Sequence, residues 1–257
     1  NEFNRAYTPR TGADSMDMSV DAGLRAFMLG VYQKLALGIA LAGGLAFLVG
    51  SNTFPPLTQL VLFSPLRMVI QFAPIVLILA SAFMMKKPSP TGTGILYWAI
   101  VTLLGLSLSI WVFAATTGAE MSSRAGAVYS TQFITIAKAF FLTASAFGGL
   151  SLYGYTTKTN LKPVGVIAFF ALWGLIGVSL ISFFFPPSGL LEMVIMIGVL
   201  ALSGALVAYD TQNLKQGYYA MEGDARGLAV MTNWGALNFF ILFYNMFTII
   251  LSLLSRD

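Results

Sequence analysis

Seven runs of roughly twenty apolar residues, each ended by charged residues, prolines or polar turns, constrain this chain more than anything else in it. A helix satisfies its own backbone in hydrocarbon, and at about 1.5 Å per residue such a run crosses a core about 30 Å thick. The runs lie at 27–50, 66–85, 93–116, 131–153, 163–185, 190–209 and within 227–255. Pro55 and Pro56 are expected in a loop because Pro stops a helix, and Pro186-Pro187-Ser188-Gly189 is expected to turn the chain. Pro163 sits in a helix-start position. Pro74 removes a backbone hydrogen bond inside the second run and predicts a kink there.

Only 9% of the 257 residues are charged and 57% are hydrophobic, with a mean hydropathy of +0.80. A soluble domain carries about 25% charged residues, so the solvent for this surface is a lipid bilayer. The expected fold is an all-α integral membrane protein with seven transmembrane helices. Residues 1–25 read as a polar cytoplasmic tail, without the basic-apolar-small order of a cleavable signal. Residues 26–257 read as a single bundle, since no polar stretch is long enough for a second core.

Lys and Arg set the orientation. Nine lie in the N-terminal tail and the loops on its side: Arg5, Arg10, Arg25, Lys86, Lys87, Lys158, Lys162, Lys215 and Arg226. Three lie opposite (Arg67, Arg124, Arg256), and Lys34 and Lys138 fall inside runs. The excess predicts a cytoplasmic N-terminus and a C-terminus on the far side. The far loops also hold Leu57, Leu60, Val61 and Leu62, which are expected along the interface or capping the bundle.

The chain has no Cys and no His. Disulfides, thiol nucleophiles, Cys/His metal sites and the Ser-His-Asp triad are excluded. No pair of acids, nucleophile-base pair or phosphate-binding glycine loop stands in the runs, so neither catalytic nor metal residues nor a cofactor are expected. A net charge of +4 with no basic run argues against a nucleic-acid partner.

Small residues at a stride of four, Gly38, Ala42, Ala46 and Gly50, stripe the first run, and Gly204 and Ala208 do likewise in the sixth. Such stripes let helix backbones approach closely. Asn238 and Asn245, seven apart, share a face of the seventh run, where Asn commonly bonds a neighbouring helix. Asp210 ends the sixth run, which from Met193 to Tyr209 carries no charge. Two readings stand: an interfacial carboxylate at a helix C-terminus, or a buried gate residue with a partner. The unfavourable end of the helix dipole favours a partner. Lys34, about two turns into the first run on the same side, is the candidate; its alternative is to snorkel to the interface.

Several stretches together resemble the Bax inhibitor-1 family, particularly its bacterial members. They are Val31-Tyr32-Gln33-Lys34-Leu35-Ala36-Leu37-Gly38, the segment Ala144 to Gly154, Ala208-Tyr209-Asp210-Thr211-Gln212 with Lys215, and Gly235-Ala236-Leu237-Asn238 with Asn245. The resemblance implies a seventh helix central in the bundle. It also implies a pH-sensitive leak of calcium or other cations, location in a bacterial inner membrane, and links to stress control or to a membrane-bound AAA protease. It implies a sensor in which one acid on helix six and one on helix seven share a proton, as two close carboxylates cannot easily both ionise. Asp210 matches the first acid, but Leu242 stands at the second. Asn238, one turn before Leu242, and Lys34 are the residues left to partner Asp210. The expected function is therefore a cation leak channel with an incomplete pH sensor. The alternative is a non-transporting regulatory or accessory subunit of a larger membrane complex.

Overall fold

A computed structural model describes residues 21–84, 87–124, 131–182 and 189–255. Most of the N-terminal tail (including Arg5 and Arg10), Lys86, the Pro186–Ser188 turn and Arg256 lie outside the described residues. Among those described, the regular structure is helical: α1 Ala22–Gly50, α2 Pro55–Thr58, α3 Leu66–Met84, α4 Pro90–Arg124, α5 Thr131–Thr156, α6 Lys162–Ser182, α7 Gly189–Ala220 and α8 Ala225–Leu254.

Local chemistry sets several boundaries. Asp21 caps α1, its carboxylate accepting from Gly23 N and Leu24 N at 2.9 Å each. Past the end of α1, Asn52 adopts φ 56°, a left-handed conformation that Asn tolerates better than most residues. Asp224 caps α8 by accepting from Gly227 N at 2.9 Å, after a turn in which Gly223 takes φ 90°.

Two expectations need correction. Pro55 and Pro56 open α2 instead of sitting in a loop, because the first helical turn needs no N–H from them. A π-helical turn, Gln59–Phe63, continues α2. Here Val61 and Leu62 are buried against Val49 and Ile70, while Leu60 and Phe63 stay exposed, so the segment caps the bundle and presents an apolar edge. Helix α3 holds Pro74 within it, and a bend of 62° separates it from the preceding helical segment at the break between Phe63 and Leu66. Second, α7 runs on to Ala220. Asp210 therefore lies ten residues, about 15 Å, before the helix end, and the helix-dipole argument for a partner does not hold.

Helices α1, α4, α5, α7 and α8 are each long and apolar enough to cross a membrane, and the bent pair of α2 with its π turn and α3 supplies a sixth crossing if taken as one span. The qualifying apolar part of α6 is the shorter Lys162–Leu172. Among the described residues, five to six helices thus qualify by length and composition, against the seven expected.

Helix α8 is central, packing on α1, α4, α5 and α7, while α3 packs mainly on α4 and α6 on α7. Its Ala236, Leu237, Phe239, Phe240 and Met246 are at most 2% exposed. The α1 stripe packs within the chain, against α4. A Cβ at Gly38 would lie 2.1 Å from the Tyr97 hydroxyl, and one at Gly50 would lie 2.6 Å from the Ser109 carbonyl. Ala42 and Ala46 are buried in the same stripe. In α7, Gly204 meets Leu150 of α5, and the Ala208 carbonyl leaves no room for a Cβ on Gly154. These interfaces use small residues for close backbone approach, as packing in a bilayer requires.

Candidate functional site

Two hydrogen-bonded groups of polar side chains lie toward the end at which α1, α4, α6 and α8 begin, and a further bond, 2.9 Å between Ser107 Oγ and the Tyr244 hydroxyl, joins α4 to α8 farther along. Lys34, Asn233, Thr93 and Tyr97 form the first group. The Lys34 ammonium donates to Asn233 Oδ1. The Asn233 amide donates in turn to Pro90 O and Thr93 Oγ1, at 2.8 Å each. The fully buried Tyr97 donates its hydroxyl to Lys34 O at 2.6 Å, and its ring centroid lies 5.7 Å from the ammonium. Three helices are joined through one cation, with an amide and an aromatic face in place of a counter-ion.

A second group links α1, α5 and α7. The Tyr32 hydroxyl bonds Ser151 Oγ, which is 3.1 Å from Thr211 Oγ1, and Thr211 donates to Val207 O at 2.8 Å. Beside it, Gln212 holds the α5–α6 connection, accepting from Leu161 N and donating to Thr159 O at 2.8 Å each. Lys215 donates to Tyr155 O at 3.1 Å.

Asp210, next to Thr211 on α7, joins neither group. No hydrogen bond or ion pair reaches its carboxylate among the described residues. It shares a helical face with Leu214 and Gly217, which pack against Gly235 and Met231 of α8, so Asp210 is turned toward the central helix. The residue is half-buried. Ser203 Oγ is the fully buried side-chain polar atom without a partner among the described residues. A carboxylate at this depth that bonds nothing among the described residues can accept a proton or a cation. One acid does not make a resident metal site, and no group of three or more acids gathers among the described residues.

The expected partners of Asp210 are placed elsewhere. Lys34 reaches Asn233. Asn238 is exposed on α8, and no bond joins it to Asp210 among the described residues. Asn245 is half-buried, its carbonyl accepting from Thr248 at 3.1 Å and its amide bonding no neighbouring helix among the described residues. Leu242, at the position of the second acid, is buried with Phe239, Phe243 and Met246. Asn233 was not singled out in the sequence. The signal that points to it is that a lysine inside a span needs a partner, and Asn233 is the first amide of the last apolar run.

A helical bundle with long apolar spans around a central helix, and with polar side chains bonded between its helices, defines a polytopic integral membrane protein. A family model described as Inhibitor of apoptosis-promoting Bax1 matches residues 24–257. The chain belongs to the Bax inhibitor-1 family. It is 45% identical to an uncharacterized protein of Caulobacter vibrioides over 98% of this chain and 97% of that one. It is 32% identical to the inner membrane protein YbhL of Escherichia coli, covering 90% of this chain and 91% of that one. It is 31% identical to the uncharacterized protein RP147 of Rickettsia prowazekii, over 97% and 98%.

Proposed function

We propose that this protein conducts cations, calcium among them, down their gradient, with Asp210 as the gate residue beside the central helix. The observation that supports it most is the Asp210 carboxylate, half-buried on the face of α7 turned toward the central helix and bonded to nothing among the described residues. An acid costs about 2.5–3.5 kcal/mol at the centre of a span on insertion scales and less toward its end, and no bond among the described residues offsets that cost at Asp210. Passage of a cation would use the charge. Lys34 does not neutralise it, being bonded to Asn233. With Leu242 in place of a second acid, the proton-sharing sensor is incomplete, and gating by pH near neutrality is weak in this reading. The reading includes no enzymatic activity. It takes α3 and α6 as full crossings, giving seven spans, and places the protein in a bacterial inner membrane, as the Escherichia coli relative's name suggests. The polar end is cytoplasmic and the C-terminus is on the other side.

Calcium flux into liposomes tests the proposal, with the intact protein and with Asp210→Asn. The expected result is flux above empty liposomes that falls with the substitution. Equal flux in both, or none above the empty control, overturns it. A second reading, an accessory subunit of a larger membrane complex, draws on α3, whose Met68, Phe72, Val76 and Phe83 are all more than half exposed. A monomer after gentle extraction from native membranes counts against that reading.

A further inference from the structure

We infer that a cavity in the half of the bundle away from the Lys34 group binds a lipid-soluble phenol or quinol, the ring held in the cavity and the hydrocarbon tail leaving sideways into the bilayer. This inference rests on neither Asp210 nor cation flux. The cavity holds about 380 Å³ and is walled by α1, α4, α5 and α8, toward the ends of α1 and α8 and the start of α5. Helices α1 and α5 each pack on α4 and α8 and barely on each other, so a gap between them leads out of the bundle. Phe47 of α1 and Phe141 of α5 stand on its two sides, each more than half exposed. Along α5 from Phe133 to Phe141 the cavity is about 12 Å long, less than one leaflet of a core about 30 Å thick.

Size and lining decide between occupants. A helix about 10 Å across needs roughly twice this volume or more over the same length, so neither a second copy nor a partner chain's span enters the cavity. An apolar cavity of about 150 Å³ stays dry and takes up benzene. At about 380 Å³ this one has room for a substituted ring and the first carbons of a tail. Lipid tails are as apolar as Leu, so a saturated chain gains little by leaving its neighbours in the bilayer for an apolar wall. A flat ring does gain, because aromatic rings attract one another in offset and edge-to-face pairs. The wall supplies such rings: Phe140 of α5, Phe240, Phe243 and Phe247 of α8, and Trp111 of α4. Phe140 and Phe243 already meet edge to face, with centroids 5.9 Å apart. The polar side-chain atoms among the lining residues are the Tyr244 hydroxyl and the Trp111 indole nitrogen. Ser107 spends its proton on Leu104 O at 2.8 Å, so Tyr244 donates to Ser107 Oγ across 2.9 Å and its own oxygen can still accept. No hydrogen bond holds the Trp111 N–H among the described residues, and Trp111 stands one turn along α4 from Ser107. An acceptor and a donor near each other on an otherwise apolar wall suit one hydroxyl on a ring.

The structure also supplies the means of blocking the cavity. A Cβ on Gly43, inside it, meets nothing within 4 Å, and the same holds for Gly44, the next residue of α1, outside it. Ala137 lines the α5 wall and is exposed. The full chain, delipidated in mild detergent, would be titrated separately with p-decylphenol, decylbenzene and decanol, and bound compound counted by native mass spectrometry. One p-decylphenol per chain is expected. It should be held about threefold or more tightly than decylbenzene, which lacks the hydroxyl, and than decanol, which lacks the ring. Gly43→Trp and Ala137→Trp should each weaken p-decylphenol about tenfold or more, while Gly44→Trp should match the parent protein. Tyr244→Phe combined with Trp111→Phe keeps the aromatic wall. It should hold decylbenzene as the parent does and lose the preference for the phenol, a selective loss that damage to the fold would not produce. Circular dichroism confirms that each variant is folded, and the two blocking variants fill the space from opposite walls so that one misfolded variant does not end the test. Equal retention of p-decylphenol in the parent and both blocking variants overturns the proposal, as does equal affinity of the parent for the three compounds. Persistence of the phenol preference in the double variant overturns it too. So does displacement of p-decylphenol by an equal concentration of phosphatidylethanolamine, which would give the cavity to an ordinary acyl chain.

Discussion

Replacing Asn233 with Ala should destabilise the bundle more than any other single exchange of a polar residue in α8. The substitution removes the acceptor of the Lys34 ammonium and both donors to the start of α4. A hydrogen bond to a charged group is worth about 1.5–3 kcal/mol and a neutral one about 0.5–1.5 kcal/mol. Lys34 keeps part of its surface open and can turn toward the interface, so the charged bond is taken at its lower end. The expected loss is about 2.5–4.5 kcal/mol, or roughly 5–18 °C in the melting temperature at about 2–4 °C per kcal/mol for a chain of this size. Thermal unfolding in detergent, followed by circular dichroism, measures it. A double-mutant cycle isolates the pair. Lys34→Met leaves Asn233 Oδ1 without its donor and should cost about 1–3 kcal/mol, whereas Lys34→Met with Asn233→Leu should cost less than the sum of the single changes. The reasoning fails if the two substitutions add, or if Lys34 couples more strongly to Asp210→Asn than to Asn233→Leu.

Further outcomes follow from the packing. Gly154→Ala drives a Cβ into the Ala208 carbonyl and should cost about 1–3 kcal/mol or prevent folding, while Gly148→Ala, six residues earlier on the same helix, should be neutral or stabilise by up to about 1 kcal/mol; melting temperatures of the two decide it. Gln212→Ala removes both bonds that hold the connection Thr157–Leu161 and should make this segment more sensitive to protease from its own side of the membrane, with a stability loss of about 1–3 kcal/mol. Tyr97→Phe deletes the bond to Lys34 O while keeping the ring beside the ammonium, so its cost should stay near 1 kcal/mol, well below that of Asn233→Ala; a loss equal to that of Asn233→Ala would place the support of Lys34 in the hydroxyl and not in the amide.

The positions of the helices were legible because hydropathy is a local property: a run of apolar residues crosses a bilayer whatever surrounds it. Helix ends were less so. Thr211 to Ala220 continue α7 past the apolar run because polar residues can remain helical where the bilayer ends, and that moved Asp210 from a helix terminus into a helix body. The α1 stripe was legible as a packing surface from its spacing alone, although its partner, α4, was not.

By itself, the sequence determined the solvent this protein lives in, the approximate spans, the absence of Cys and His chemistry, and the presence of an acid and a lysine that a bilayer does not leave unaccompanied. The tertiary structure alone decided which groups accompany them. Lys34 meets Asn233 across 199 positions of sequence, Tyr32 meets Ser151 across 119, and Asp210 meets no partner among the described residues. The physical reason is that a span's existence depends on transfer free energy, which sums over neighbours in the chain, while a side chain's partner depends on the rotation and depth of helices packed from distant segments. Periodicity marks the face on which a residue stands; only the packed bundle brings another helix to that face.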